Sequence, residues 1–111
     1  MFTDCLRCGR VQMSESNIEV TADLIERYLG LTQAARDKAT PLHSTDSEEG
    51  KRLDVMMEMA DSYTSDAKWF AQQGDLVRAF GAINYAHAWI DCAVKIGLLD
   101  GHGDDEMFTL P

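Results

Sequence analysis

The sequence predicts an all-α domain, an up-and-down antiparallel bundle of three helices with the last helix at its centre. Apolar residues recur at helical spacing in three long stretches, which is typical of amphipathic helices. The second and third stretches are joined only by Gly74-Asp75, and so short a turn makes neighbouring helices antiparallel. The chain of 111 residues is long enough for one domain with a modest core.

The first helix is predicted from about Asn17 to Lys38, and Ser16 or Asn17 can cap its N-terminus. Its apolar stripe consists of Val20, Leu24, Ile25, Tyr28, Leu31, Ala34 and Ala35. Pro41 disfavours helical backbone at Thr40, so the helix ends before that residue.

The second helix is predicted from about Asp46 to Gln73. Thr45 and Glu48 have the spacing of a capping box at its start. Its core stripe consists of Leu53, Met56, Met57, Ala60, Tyr63, Ala67 and Phe70. Methionines fill irregular gaps in a core and also form adaptable binding surfaces, and we favour the core. Trp69 lies off this stripe.

The third helix is predicted from about Leu76 to Ile96. Gly74 can take the left-handed conformation that ends the second helix, and the Asp75 carboxylate can accept from N–H groups of the next helix. Gly97 then ends the third helix.

The third helix has three faces. Small and apolar residues form the first face: Ala79, Ala82, Ile83, Ala86, Ile90, Ala93, Val94 and Gly97. The second, aromatic face comprises Arg78, Tyr85, Trp89, Cys92 and Ile96. The third face is largely polar and comprises Phe80, Asn84, His87, Asp91, Lys95 and Leu98. A helix that is apolar over most of its circumference is buried on more than one side, which predicts the central position.

The aromatic face has two interpretations. Tyr85 and Trp89, with Arg78, either pack as core against the first helix or form a surface for a dimer or another partner, because these residue types are enriched in binding hot spots. Two neighbouring helices need not cover the whole apolar circumference, so the sequence also predicts a homo-oligomer.

The polar face also has two interpretations. His87 and Asp91 are four residues apart and can touch, with Asn84 extending the row. They form either a catalytic or ligand-binding strip, with Asp91 orienting His87 as a base, or a solvated or interface strip with local hydrogen bonds. The chain has no G-x-S-x-G, phosphate-loop or H-E-x-x-H motif, so we favour the second interpretation and predict no catalytic residue and no cofactor.

The two ends of the chain differ from its middle. Residues 1–13 are predicted to be a flexible extension, and translation of the native protein could begin at Met13. Cys5 and Cys8 form half of a zinc knuckle, but zinc needs four ligands and no second pair is present, so we favour no metal.

Residues 101–111 are predicted to be a flexible tail that is first acidic and then apolar. This tail is a frayed terminus, docks back onto the bundle, or serves as a short peptide ligand through Phe108 and Leu110. The helical bundle itself is assigned to residues 14–100.

Charge and composition exclude several partners. The formal net charge is −9, whereas nucleic-acid binding needs a positive surface. No apolar run approaches the length of a membrane span, and the N-terminus lacks a signal-peptide pattern. An odd number of cysteines favours a reducing cytoplasm over a secreted disulfide framework.

The last half of the chain carries a specific string, GD-x-VRAF-x-A-x-NYA-x-x-W-x-D, from Gly74 to Asp91. The same region also contains Met59, Tyr63, Asp66, Phe70, Gly97 and Leu98. These residues resemble the archaeal family catalogued as domain of unknown function 357. The resemblance implies a small up-and-down three-helix bundle in a cytoplasmic archaeal protein. It implies no catalytic residue, because none is assigned to the family.

We therefore predict a protein–protein interaction or scaffold module rather than an enzyme. The residues predicted to form its interaction or ligand surface are Trp69, Arg78, Asn84, Tyr85, His87, Trp89, Asp91, Phe108 and Leu110. The alternative is a small-molecule-binding or enzymatic bundle that uses Asn84, His87 and Asp91.

Overall fold

Three helices dominate the computed structural model, which describes residues 18–111. They are α1 (Ala22–Lys38), α2 (Glu48–Gln72) and α3 (Leu76–Lys95). Two strands of two residues each, β1 (Thr40–Pro41) and β2 (Leu99–Asp100), pair in antiparallel orientation. The predicted all-α bundle is confirmed. The small sheet was not predicted, because strands this short carry no alternating pattern.

Helix α1 begins later than predicted. Residues 18–21 are not helical, and Thr21 caps the helix by accepting a hydrogen bond of 3.1 Å from the Leu24 backbone N–H. The predicted start at Asn17 is therefore wrong, whereas the end at Lys38 is confirmed. Ser, Asn and Thr can all cap a helix, so the sequence alone did not distinguish Thr21 from the predicted caps Ser16 and Asn17.

The starts of the other two helices are also set by capping side chains. Ser47, rather than Thr45, caps α2 by accepting from the Gly50 N–H at 3.0 Å. Gly50 lies so close to the Ser44 backbone that a Cβ atom would clash there. The predicted Asp75 cap of α3 is confirmed, since its carboxylate accepts from the Arg78 N–H at 3.2 Å.

Glycines with positive φ mark the turns on both sides of α3. Gly74 has φ of 77° and Gly97 has φ of 82°, in the left-handed region that favours glycine. The first lies between α2 and α3 and the second follows α3, as the sequence predicted.

Helix α3 packs against both other helices, whereas α1 and α2 contact each other little. Its small, apolar face supplies fully buried residues, including Ala79, Ile83, Ala86 and Ile90. Leu53, Met56 and Met57 of α2 are also buried, so these methionines are core residues. The predicted central position of the last helix is confirmed.

The chain end docks onto the bundle, the second of its three predicted alternatives. Phe108 is fully buried in the same cluster as Leu53 and Ile90. Lys38 Nζ lies 2.8 Å from Asp104 Oδ2, and Lys95 Nζ donates to the Leu110 carbonyl at 2.8 Å. We call residues 101–111 the C-terminal segment.

Candidate functional site

His87 and Asp91 lie on the enclosed side of α3, and we call them the inner row. Their exposed fractions are 0% and 7%, so of the solvated or interface strip that we favoured from the sequence, the solvated form is wrong for these two residues. Helix α1 contacts the side chain of His87, and the C-terminal segment contacts that of Asp91. Asn84, the third residue of that strip, is half-buried and donates to the Phe80 carbonyl of its own helix at 2.9 Å.

The inner row is tied to both elements that cover it. His87 Nδ1 lies 3.1 Å from Thr32 Oγ1 of α1, and both residues are buried. Asp91 Oδ1 accepts a hydrogen bond of 3.2 Å from the Thr109 N–H of the C-terminal segment. His87 Nε2 and Asp91 Oδ1 are 3.7 Å apart, which is too long for a hydrogen bond. The inner row therefore joins α1, α3 and the C-terminal segment.

Burial decides the protonation of the inner row. Removal from water lowers the pKa of His87 to about 3, against a hydrogen bond with the Met107 backbone that favours the charged form. Burial also raises the pKa of the Asp91 carboxyl, and the Thr109 N–H opposes this shift. A fully enclosed neutral imidazole is not placed to take a proton from a bound substrate.

Another side of α3 exposes an uncharged row, which we call the outer row: Gly81, Tyr85, Ala88 and Cys92. Each of these residues is exposed, and Tyr85 has 49% of its surface in solvent. Between Arg78 and Lys95, no exposed residue of α3 is charged. Of the two interpretations of the aromatic face, Tyr85 therefore fits a surface rather than core packed against α1.

Aromatic side chains connect the outer row to α2. The rings of Tyr63 and Tyr85 meet edge to face, with their centroids 4.5 Å apart. The rings of Tyr85 and Trp89 are also edge to face, at 6.2 Å. Trp89 is half-buried against the core, and its indole N–H finds no hydrogen-bond partner within residues 18–111. The Tyr85 ring is therefore in contact with both the Tyr63 ring and the Trp89 ring.

The other predicted surface residues do not gather into one site. Trp69 is exposed on α2 and contacts Phe70 edge to face at 5.5 Å. Arg78 is exposed, and its guanidinium lies 3.3 Å from the Asp75 carboxylate. Phe108 is in the core, and Leu110 is half-buried against it.

Sequence reasoning missed two residues of this region, Thr32 and Thr109, which hold the inner row. Thr32 lies in the middle of α1 with no motif around it, and the Thr109 contact uses a backbone group that any residue except proline carries. The position of Tyr63 at core spacing on α2 was the only available signal for the ring pair.

The described part of the chain, residues 18–111, lacks two kinds of feature. That part of the chain holds no group of three or more His, Cys, Asp or Glu side chains suited to a metal ion. Cys5 and Cys8, with the predicted extension 1–13, lie outside the described residues. No helix within the described range has the length and apolar character needed to cross a membrane.

Comparison with known proteins gives one match. A family model described as "Protein of unknown function (DUF357)" matches residues 27–99, which include both rows of α3. No curated protein and no solved structure matches the chain.

Proposed function

This chain belongs to the DUF357 family of proteins of unknown function, and we propose from its own geometry that it is a protein–protein interaction module that pairs with a second copy of itself through the outer row of α3. The family brings no activity, so the proposal rests on the exposed residues of the helices.

The observation that carries the proposal is the contrast in charge between two neighbouring helices. Helix α2 exposes charged residues along its length: Glu48, Glu49, Lys51, Arg52, Asp54, Glu58, Asp61, Asp66 and Lys68. The outer row of α3 exposes none, although the whole chain carries a net charge of −9. Interface centres are depleted of charge and enriched in aromatic residues, and this row has both properties.

The spacing and sizes of the outer-row residues favour a second copy as the occupant. Positions 81, 85, 88 and 92 are separated alternately by four and three residues, which is the spacing of a helix–helix seam. In an antiparallel pair centred between positions 85 and 88, each Tyr85 meets Ala88 of the second copy, and Gly81 meets Cys92. A large side chain thus faces a small one, and a two-fold pair uses the same surface twice.

The backbone of α3 leaves room for this approach. A Cβ atom added to Gly81 would meet nothing within 4 Å, so this position is open on the protein's own surface. Arg78 at one end of the row is balanced by Asp75, and Lys95 at the other end donates to the Leu110 carbonyl. Of the two charged residues that flank the strip, Arg78 is therefore paired with a carboxylate of its own chain, whereas Lys95 keeps its positive charge and is held by a neutral carbonyl.

Sedimentation equilibrium of the full chain tests the proposal with one substitution at two places. Ala88 and Ala34 are both exposed helical alanines, but only Ala88 is in the outer row. We expect a reversible dimer, about tenfold or more weakened by Ala88→Glu because like charges meet at the contact, and unchanged by Ala34→Glu. A wild-type monomer at all concentrations, or equal weakening by both variants, would contradict the proposal.

The other interpretations have less support. Binding of an unrelated helix by the outer row would give a wild-type monomer in the same experiment. A ligand-binding or enzymatic role of Asn84, His87 and Asp91 requires access that the burial of the last two denies. The exposed, unpaired thiol of Cys92 supports the predicted reducing cytoplasm as the location.

A further inference from the structure

A cleft of about 200 Å³ opens between α1 and α2, and no outer-row residue lines it. Its base is apolar, because Ala60 and Ile90 are buried there. Its polar lining comes from Thr32, Gln33 and Arg36 of α1 and from Asp61, Thr64, Ser65 and Lys68 of α2. The cleft therefore combines a closed apolar base with hydroxyl and charged groups around its mouth.

The charges of the cleft are opposite to those of the whole protein. Arg36 and Lys68 contribute two positive charges against the single carboxylate of Asp61, whereas the chain carries −9. Asp61 holds the Arg36 guanidinium through two hydrogen bonds, from Nε at 3.0 Å and from Nη2 at 3.2 Å. The ammonium group of Lys68 forms no ion pair with the described residues. A local positive balance of this kind suits an anionic ligand.

Hydroxyl groups complete the lining. Thr32 is almost fully buried, with 1% exposure, and its Oγ1 also lies 3.1 Å from His87 Nδ1. The hydroxyl of Thr64 donates to the Ala60 carbonyl at 2.8 Å, whereas Ser65 is exposed at the mouth. Thr32 therefore links the wall of the cleft to the inner row, so that a change in the cleft reaches the His87 ring.

We propose that this cleft binds the anionic oxygen group, phosphate or carboxylate, of a small molecule. Lys68 supplies the positive charge that no carboxylate compensates. The Arg36 N–H groups that do not bind Asp61 orient the ligand, and the Ser65 hydroxyl donates a hydrogen bond to its anionic oxygens. The volume is below that of a typical drug-sized pocket, so the cleft holds a head group rather than a large ligand. This site is independent of the outer row and of self-association.

Titration of the full chain with sodium phosphate, sodium acetate and sodium chloride at equal ionic strength tests the site. Two readouts are used: the midpoint of thermal unfolding and the NMR signals of the His87 ring. Lys68→Met removes the charge at the cleft, and Lys51→Met is the matched control, because Lys51 is exposed on the same helix but does not line the cleft. Both replacements are at exposed positions, so both variants are expected to fold.

We expect phosphate or acetate to raise the midpoint and move the His87 signals in a saturable way, and chloride to do neither. Lys68→Met weakens this binding about tenfold or more, and Lys51→Met leaves it unchanged. Saturation by phosphate alone assigns a phosphate group, and saturation by acetate assigns a carboxylate. No saturable response to either anion, or an equal loss in both variants, overturns the proposal whatever the oligomeric state.

Discussion

The inner and outer rows of α3 differ from each other in both charge and burial. His87 and Asp91 can carry charge and are enclosed, whereas Tyr85 and its small neighbours are uncharged and face solvent. Surface helices ordinarily direct polar residues outward and apolar residues inward. Because both rows lie on the same helix, the difference in their burial arises from the elements that pack over each row.

The inner row has its cover within the chain. Phe108 and the Thr109 N–H belong to the C-terminal segment, and Thr32 belongs to α1. Burying polar groups is unfavourable unless they are hydrogen-bonded, and these contacts offset that cost. The outer row has no such cover within residues 18–111. Helix α3 is therefore covered along the inner row by its own chain and, in our proposal, along the outer row by a second copy.

Removing the core side chain of the C-terminal segment, which also supplies part of the cover of the inner row, should have the largest effect. Phe108→Ala empties a fully buried site and is expected to lower the free energy of unfolding by about 3–5 kcal/mol, the usual cost of truncating a core phenylalanine. Urea unfolding followed by circular dichroism measures this loss. Leu110→Ala, at a half-buried position of the same segment, should cost clearly less. A loss below about 1 kcal/mol for Phe108→Ala would mean that the segment is not part of the core.

Lowering the pH should destabilise the folded protein through His87, by an amount between those expected for Phe108→Ala and for Tyr85→Ser. The pKa of His87 is about 3 in the folded protein and 6.5 in the unfolded chain, so the unfolded state binds a proton first as pH falls below 6.5. The expected loss in the free energy of unfolding between pH 7 and pH 4.5 is about 2.5 kcal/mol from this group. Asp91 acts in the opposite direction, since its raised pKa makes protonation favour the folded state.

Two histidine variants separate the contribution of His87 to this pH dependence from that of an exposed histidine. Urea unfolding at both pH values should show that His87→Gln removes this part of the pH dependence. His43→Gln, at an exposed histidine, should keep it. An unchanged pH dependence in His87→Gln would mean that the imidazole is accessible to protons in the folded protein.

Removing the Tyr85 ring from the outer row should have the smallest effect on stability. Tyr85→Ser removes ring contacts with Tyr63 and Trp89 at an exposed position, so the expected loss is about 0.5–1 kcal/mol for the monomer. Tyr28→Ser, at a buried tyrosine of α1, is the control and should cost several times more. Urea unfolding at low protein concentration measures both, and equal losses would place Tyr85 in the core.

Local sequence signals predicted most of the fold. The turn at Gly74-Asp75, the end of α1 and the buried stripe of α2 follow from backbone preference and helical periodicity, which act over a few residues. The start of α1 was misplaced because several polar residues before Ala22 can all serve as caps.

The sequence placed His87 and Asp91 on one face of α3 and Tyr85 and Cys92 on another, but it grouped neither Gly81 nor Ala88 with them and did not predict the burial of the inner row. Periodicity assigns residues to faces without saying what covers each face. His87 contacts Thr32 of α1 and the Met107 backbone, and Asp91 contacts the Thr109 N–H, so part of the cover comes from beyond the turn that ends α3. Such a contact depends on tertiary packing, and no local preference of an acidic and flexible-looking segment indicates it.

Alkylation of Cys92 tests the proposed cover of the outer row most directly. This thiol is exposed in the isolated chain, and the pairing places it against Gly81 of the second copy. With Cys5 and Cys8 replaced by serine, we expect the alkylation rate of Cys92 to fall as protein concentration rises through the dimer range, and to stay fast in Ala88→Glu. A rate that is the same at every concentration would contradict the account, because the outer row would then remain open to solvent.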